Sequence, residues 1–140
     1  MIIGKKISNG ILRPKVLVAP LDWGLGHATR CIPIIKELTD LNCEVLIVAD
    51  KHIYSLLKKE FPPTVFLRYK GYEMKYSRDK RWLFLKLLQQ APRILWQIKK
   101  ENSWLNKVIE QYKIDAVISD NRFGMHSKKV PCIYITHQLL

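Results

Sequence analysis

A chain of 140 residues with 48% apolar content can bury a core of its own, which excludes a disordered tail or a bare linker. Its 24 Lys and Arg outnumber 12 Asp and Glu, and the net charge of +12 favours an anionic partner: nucleic acid, acidic lipid headgroups or a phosphorylated small molecule. No stretch approaches the ~18 consecutive apolar residues of a membrane span, so the sequence reads as one domain, cytoplasmic and at most resting on the inner face of a membrane.

Residues 1–14 form a basic extension broken by Gly4, Gly10 and Pro14, without the apolar core of a signal peptide. The domain is expected over residues 15–140. Residues 16–19, bounded by Pro14 and Pro20, are a continuous apolar run, as in a strand covered on both faces. A loop with Gly24, Gly26 and His27 follows. Cys31, Ile34, Ile35, Leu38 and Leu41 recur at helical spacing and predict a helix over 29–41, with Pro33 near its start and Asn42 as its stop. Residues 45–49 read as a second buried strand ending at Asp50. A short helix is expected over 53–60, and a third strand over 65–67, after Pro62 and Pro63. Residues 68–90 are basic and aromatic without a clear period. Pro92 opens a predicted helix to Tyr112, with Ile94, Leu95, Ile98, Leu105, Val108 and Ile109 on its apolar face. Residues 116–119 and 132–136 are the fourth and fifth strands. Cys31, Cys43 and Cys132 form no Cys-x-x-Cys pair and read as buried free thiols of a reducing compartment.

Strands alternating with helices predict an α/β fold: a Rossmann-like parallel sheet with helices on both faces. Parallel strands present their C-terminal ends on one edge, so residues 22–27, Asp50, residues 120–124, and His137 with Gln138 are expected along one rim.

The glycine loop admits a dinucleotide reading, but Thr29 occupies the third glycine position, and Leu21, Asp22 and Trp23 lengthen the turn. Asp50 reads more simply as a solvated strand-end carboxylate than as a ribose ligand. His27 stands at a helix start, as a base or as a cap. Gly24 and Gly26 make a tight turn or leave room for a ligand, and Arg30 reaches a phosphate or merely solvent. The lone histidines lack metal-ligand spacing, and there is no Asp-x-Asp triplet.

The segment Pro20-Leu-Asp-Trp-Gly-Leu-Gly-His-Ala-Thr-Arg30 resembles the N-terminal loop of GT-B glycosyltransferases. The similarity is to the UDP-glycosyltransferases and the lipid-linked N-acetylglucosamine transferases of peptidoglycan synthesis. Ala116-Val-Ile-Ser-Asp-Asn-Arg-Phe-Gly124 and Val130-Pro-Cys-Ile-Tyr-Ile-Thr-His-Gln138 resemble the next two strand motifs in order. The resemblance implies an acceptor-side domain that transfers a sugar, with inversion, from a UDP-linked donor to a hydroxyl acceptor, and needs no cofactor or metal. It makes His27 the base and Asp120 its carboxylate partner. It places Asp22, Trp23, Gly24, Gly26, Arg30, Asn121, His137 and Gln138 at the substrate. It also implies a second, donor-binding domain or subunit that these 140 residues do not contain, so the chain alone is expected not to turn over.

Residues 68–100 add a second signal. Arg78, Lys80 and Arg81 lie beside Trp82 and Phe84, a composition suited to an anionic membrane or a lipid-linked acceptor, and equally to a core helix with a solvated face. A non-catalytic domain that binds anionic lipid or a protein partner through this segment is the competing reading. Nucleic acid finds no module motif to support it.

Overall fold

The apolar runs become the centre of a five-stranded parallel sheet. In the computed structural model, which describes residues 6–7, 10–71 and 80–136, these strands are β3 (Lys15–Pro20), β4 (Glu44–Val48), β5 (Val65–Leu67), β6 (Ala116–Asp120) and β7 (Cys132–Ile135). They lie in the order β5-β4-β3-β6-β7. The basic extension holds a short antiparallel pair, β1 (Lys6–Ile7) and β2 (Gly10–Ile11).

Continuous apolar runs are required because both faces are covered. Val16, Val18, Val45, Ile47 and Ile118 pack with Ala28, Cys31 and Ile35 of helix α1 (Leu25–Asp40) and with Ile53 and Leu57 of α2 (Lys51–Glu60). Their neighbours Leu17, Ala19, Leu46, Val48 and Val117 pack with Leu105, Val108 and Ile109 of α3 (Lys80–Tyr112) on the other face. Burying each such aliphatic side chain contributes about 1.5–3 kcal/mol. Asn42 ends α1 as expected. At φ 61 it adopts the left-handed conformation, and the Cys43 and Asn42 N–H groups donate to the carbonyls of Leu38 and Thr39, both at 2.9 Å.

Three expectations need correction. Helix α1 starts at Leu25 rather than at Thr29, so Pro33 lies inside it. Fully buried Ala28 anchors the early turn, and packing there outweighs the lost bond. Helix α3 starts at Lys80, and Pro92 sits within it. The carbonyl that Pro92 leaves without a donor belongs to Leu88, on an exposed stretch of the helix open to solvent. Cys132, expected to be buried, is exposed, because β7 is an edge strand, while Cys31 is buried and Cys43 half-buried. Among the described residues no helix is long and apolar enough to cross a membrane.

Candidate active site

The strand order reverses between β3 and β6. The chain leaves β3 through α1 on one face and enters β6 from α3 on the other, which opens a crevice at the carboxyl ends of these two strands. Their register pairs Pro20 with Asp120, so the loop after β3 and the end of β6 meet there. His27 rides on the first turn of α1 and Asp120 is the last residue of β6. The His27 Nδ1 lies 2.9 Å from Asp120 Oδ2. The carboxylate side chain is 1% exposed and the imidazole 15%.

Arg30, one turn further along α1, closes a triad. Its Nη2 donates to Asp120 Oδ1 at 3.0 Å and Oδ2 at 2.9 Å, and its Nε to Oδ2 at 3.2 Å. The same Nη2 stands 2.9 Å from His27 Nδ1. A guanidinium can only donate and a carboxylate can only accept. If Nδ1 accepted from Arg30, its lone pair would face that of Oδ2 at 2.9 Å. The ionised Asp120 carboxylate favours the tautomer with the proton on Nδ1, directed at Oδ2, in which Arg30 Nη2 is a close neighbour of Nδ1 and not its donor. In that tautomer Nε2 carries the ring's basic lone pair.

Gly24 caps the N-terminus of α1 and Gly26 lies in its first turn. Neither adopts a left-handed φ, and a Cβ built on either meets nothing within 4 Å. Neither turn geometry nor internal packing calls for these glycines; what they leave is open space over the helix start. That first turn contains no acidic residue, so its N–H groups keep their positive end for an anion. Asp22 and the exposed Trp23 lie in the same loop, and Asp50 precedes α2 as its N-cap.

Past Asp120 the backbone turns sharply. Asn121 takes φ 54, which asparagine tolerates, and accepts at Oδ1 from the Tyr134 hydroxyl at 3.3 Å. Burial first, then the nearby Asp120 carboxylate, push that hydroxyl above its usual range. Arg122 then dives into the α3 layer and pairs with Glu101, both 1% exposed. Its Nε donates to Glu101 Oε1 at 2.7 Å, and the Gly124 N–H donates to Oε2 at 3.0 Å. A Cβ on Gly124 would lie 2.5 Å from Glu101 Oε2 and 2.8 Å from the Ile98 carbonyl, so close approach makes glycine necessary there. Gly124→Ala is expected to destabilise the domain by about 1–3 kcal/mol, the usual cost of overpacking, read from denaturant midpoints.

Cys31 lies beneath this cluster. Burial first, then Asp120, push its thiol up to about 12, while Arg30 pulls the other way. Iodoacetamide at neutral pH is expected to modify exposed Cys132 and to spare Cys31 until the chain unfolds; rapid labelling of Cys31 in the folded chain would contradict this. The folded chain also holds a proton that an unfolded thiol releases near its ordinary 9.0, so this group's contribution to stability is lost as pH rises from there toward 12.

Of the other expected site residues, Arg78, His137 and Gln138 lie outside the described residues, as do the side chains of Lys80 and Arg81. Trp82 and Phe84 stand on α3, 59% and 68% exposed. The fork of Arg30 on Asp120 has no counterpart in the sequence reading. The spacing of His27 and Arg30, three apart on one helix face, is the signal that points to it.

No protein-family model and no curated protein matches the chain. Solved structures similar to the chain include the following two. LpCGTa in complex with UDP aligns over 89% of this chain and 30% of its own length, at 15% identity and a TM-score of 0.57. The glycosyltransferase SnogD from Streptomyces nogalater aligns over 89% and 36%, at 13% identity and a TM-score of 0.49. The chain thus spans under a third of the LpCGTa structure. By its fold it is a Rossmann-like α/β domain that corresponds to part of the LpCGTa structure.

Proposed function

We propose that this chain is the acceptor-side half of an inverting glycosyltransferase of the GT-B kind, acting with a donor-binding domain or subunit. The observation that carries the reading is the His27–Asp120 contact at the sheet's switch point. In the proposed step the acceptor oxygen attacks the anomeric carbon of a UDP-linked sugar. Its proton passes to His27 Nε2, and the bond from that carbon to the phosphate oxygen breaks, its electron pair leaving with UDP. Asp120 stabilises the imidazolium, and Arg30 holds the carboxylate in place. The open N-terminus of α1, with Gly24 and Gly26, faces the diphosphate or the acceptor, flanked by Asp22, Trp23 and Asn121. His137 and Gln138 are proposed at the edge of the same cleft. The other wall, and most donor contacts, belong to the complementary half. The likeness to part of a UDP-bound structure supports that division.

The configuration of the product tests this reading. A polypeptide containing both halves, given an α-linked UDP-sugar, is expected to yield a β-glycoside by proton NMR. An α-glycoside would exclude single displacement by a His27-activated hydroxyl.

The exposed apolar residues at the start of α3 favour a second element, a cytoplasmic domain that rests on the membrane. Trp82, Phe84, Leu85 and Leu88 are all exposed there, and Arg78, Lys80 and Arg81 adjoin them in sequence. Such a face suits anionic headgroups and a lipid-linked acceptor. Binding to vesicles is expected to rise with their anionic lipid content and to fall in Trp82→Ala/Phe84→Ala; indifference to lipid charge would remove the surface from the account.

A further inference from the structure

Helix α3 is longer than the sheet it covers. It joins two parallel strands of one sheet, so it runs opposite to them, and its last turn leads into the amino end of β6. Glu101 meets Arg122 and the Gly124 N–H just past the carboxyl end of β6, so the helix clears the rim there. Residues 80–100 therefore overhang the carboxyl edge by about 30 Å, given the rise per helical residue. Among the described side chains of residues 82–100 none is buried, whereas Glu101, Leu105, Val108 and Ile109 are. Trp82, Phe84, Leu85, Leu88, Leu95 and Trp96 are each more than half exposed. One helical turn separates Phe84 from Leu88, two separate Leu88 from Leu95, and three separate Leu85 from Trp96, so they form one stripe along the axis. Half-buried Ile94 and Ile98 lie in line with buried Leu105, on the side that faces the sheet. Lys86, Arg93 and Lys100, all exposed, recur every second turn along one border of the stripe, and residues 80–100 contain no Asp or Glu.

We infer that this whole outward face, and not only the first turns of α3, lies flat on an anionic bilayer, so that the crevice opens along the membrane surface. The apolar stripe sinks to the boundary of headgroups and acyl chains while the bordering cations meet acidic headgroups, as in an in-plane amphipathic helix. A stripe that follows the helix axis suits a flat surface; contact through the tip alone leaves Leu95 and Trp96 in water. With α3 in the membrane plane, the strands run along the bilayer as well. The carboxyl ends of β3 and β6 then point across the headgroups and not into the acyl region. This orientation of the active site rests on the membrane reading.

Depth quenching tests the orientation. A fluorophore is attached at Leu85→Cys, Leu95→Cys or Lys36→Cys, each in a Cys43→Ser/Cys132→Ser chain whose remaining Cys31 is buried. Vesicles of phosphatidylcholine and phosphatidylglycerol in equal amounts carry a nitroxide quencher on the acyl chains. Comparable quenching at positions 85 and 95 is expected, with none at position 36, which is exposed on α1 in the opposite layer. Leu95→Ala/Trp96→Ala is expected to weaken vesicle binding about tenfold, through the apolar area it withdraws from the bilayer. Quenching at 85 without quenching at 95 overturns the flat orientation and keeps the membrane reading; full vesicle binding by the double variant does the same. No vesicle binding and no quenching at either position removes both. Protection of the two positions by the donor-binding half in place of lipid assigns the face to protein and likewise overturns the proposal.

Discussion

His27→Ala, introduced into a polypeptide that carries both domains, is expected to lower kcat of sugar transfer by ~10²-fold or more, as loss of a general base does. With the Nδ1 proton directed at Asp120, Nε2 is the ring nitrogen that can accept a proton, and Arg30, which also touches the pair, cannot accept one. Asp120→Asn is expected to be nearly as damaging for a different reason. The amide can offer a donor to Nδ1 and so select the opposite tautomer, and it also releases Arg30. The two substitutions together should cost little more than either alone, because they disable one unit. An alanine at position 27 with unchanged kcat and altered stability would make His27 a structural residue.

The second large effect concerns stability. Arg122→Met is expected to cost about 3–5 kcal/mol, since it leaves the Glu101 carboxylate uncompensated in the interior. Domains are stable by only about 5–15 kcal/mol, so much of the fold's margin would go. The same change removes the cation that stands 5.7 Å from the centre of the Tyr69 ring, loosening the β5 end as well as the β6–β7 loop. Glu101→Gln/Arg122→Met should recover part of the loss, because no unpaired charge remains buried. Urea denaturation of the single and double variants measures this directly. A double variant less stable than either single would mean that packing, and not charge, holds the loop.

The strand runs at 16–19, 45–49 and 116–119 were legible because a strand covered on both faces needs an unbroken apolar sequence, and both layers are present here. The strand-end rule then places His27 and Asp120 on one rim before any coordinate is known. Helix starts were less legible. Gly26 read locally as part of a loop and Pro92 as a helix start, yet α1 and α3 include them in their interiors because tertiary packing outweighs propensity. The exposure of Cys132 depends on what lies beyond an edge strand, which composition does not encode. Arg122 and Glu101 were out of reach for a related reason: their pairing joins α3 to a loop that only the folded chain brings near.

The account's central claim is a division of labour, with the acceptor and its base on this chain and the donor on a second half. Transfer of a radiolabelled sugar from a UDP donor, measured for the 140-residue chain alone and again with the donor-binding half supplied, tests it most directly. The account predicts product only when both halves are present, and none from the chain alone. Turnover by the isolated chain would contradict it.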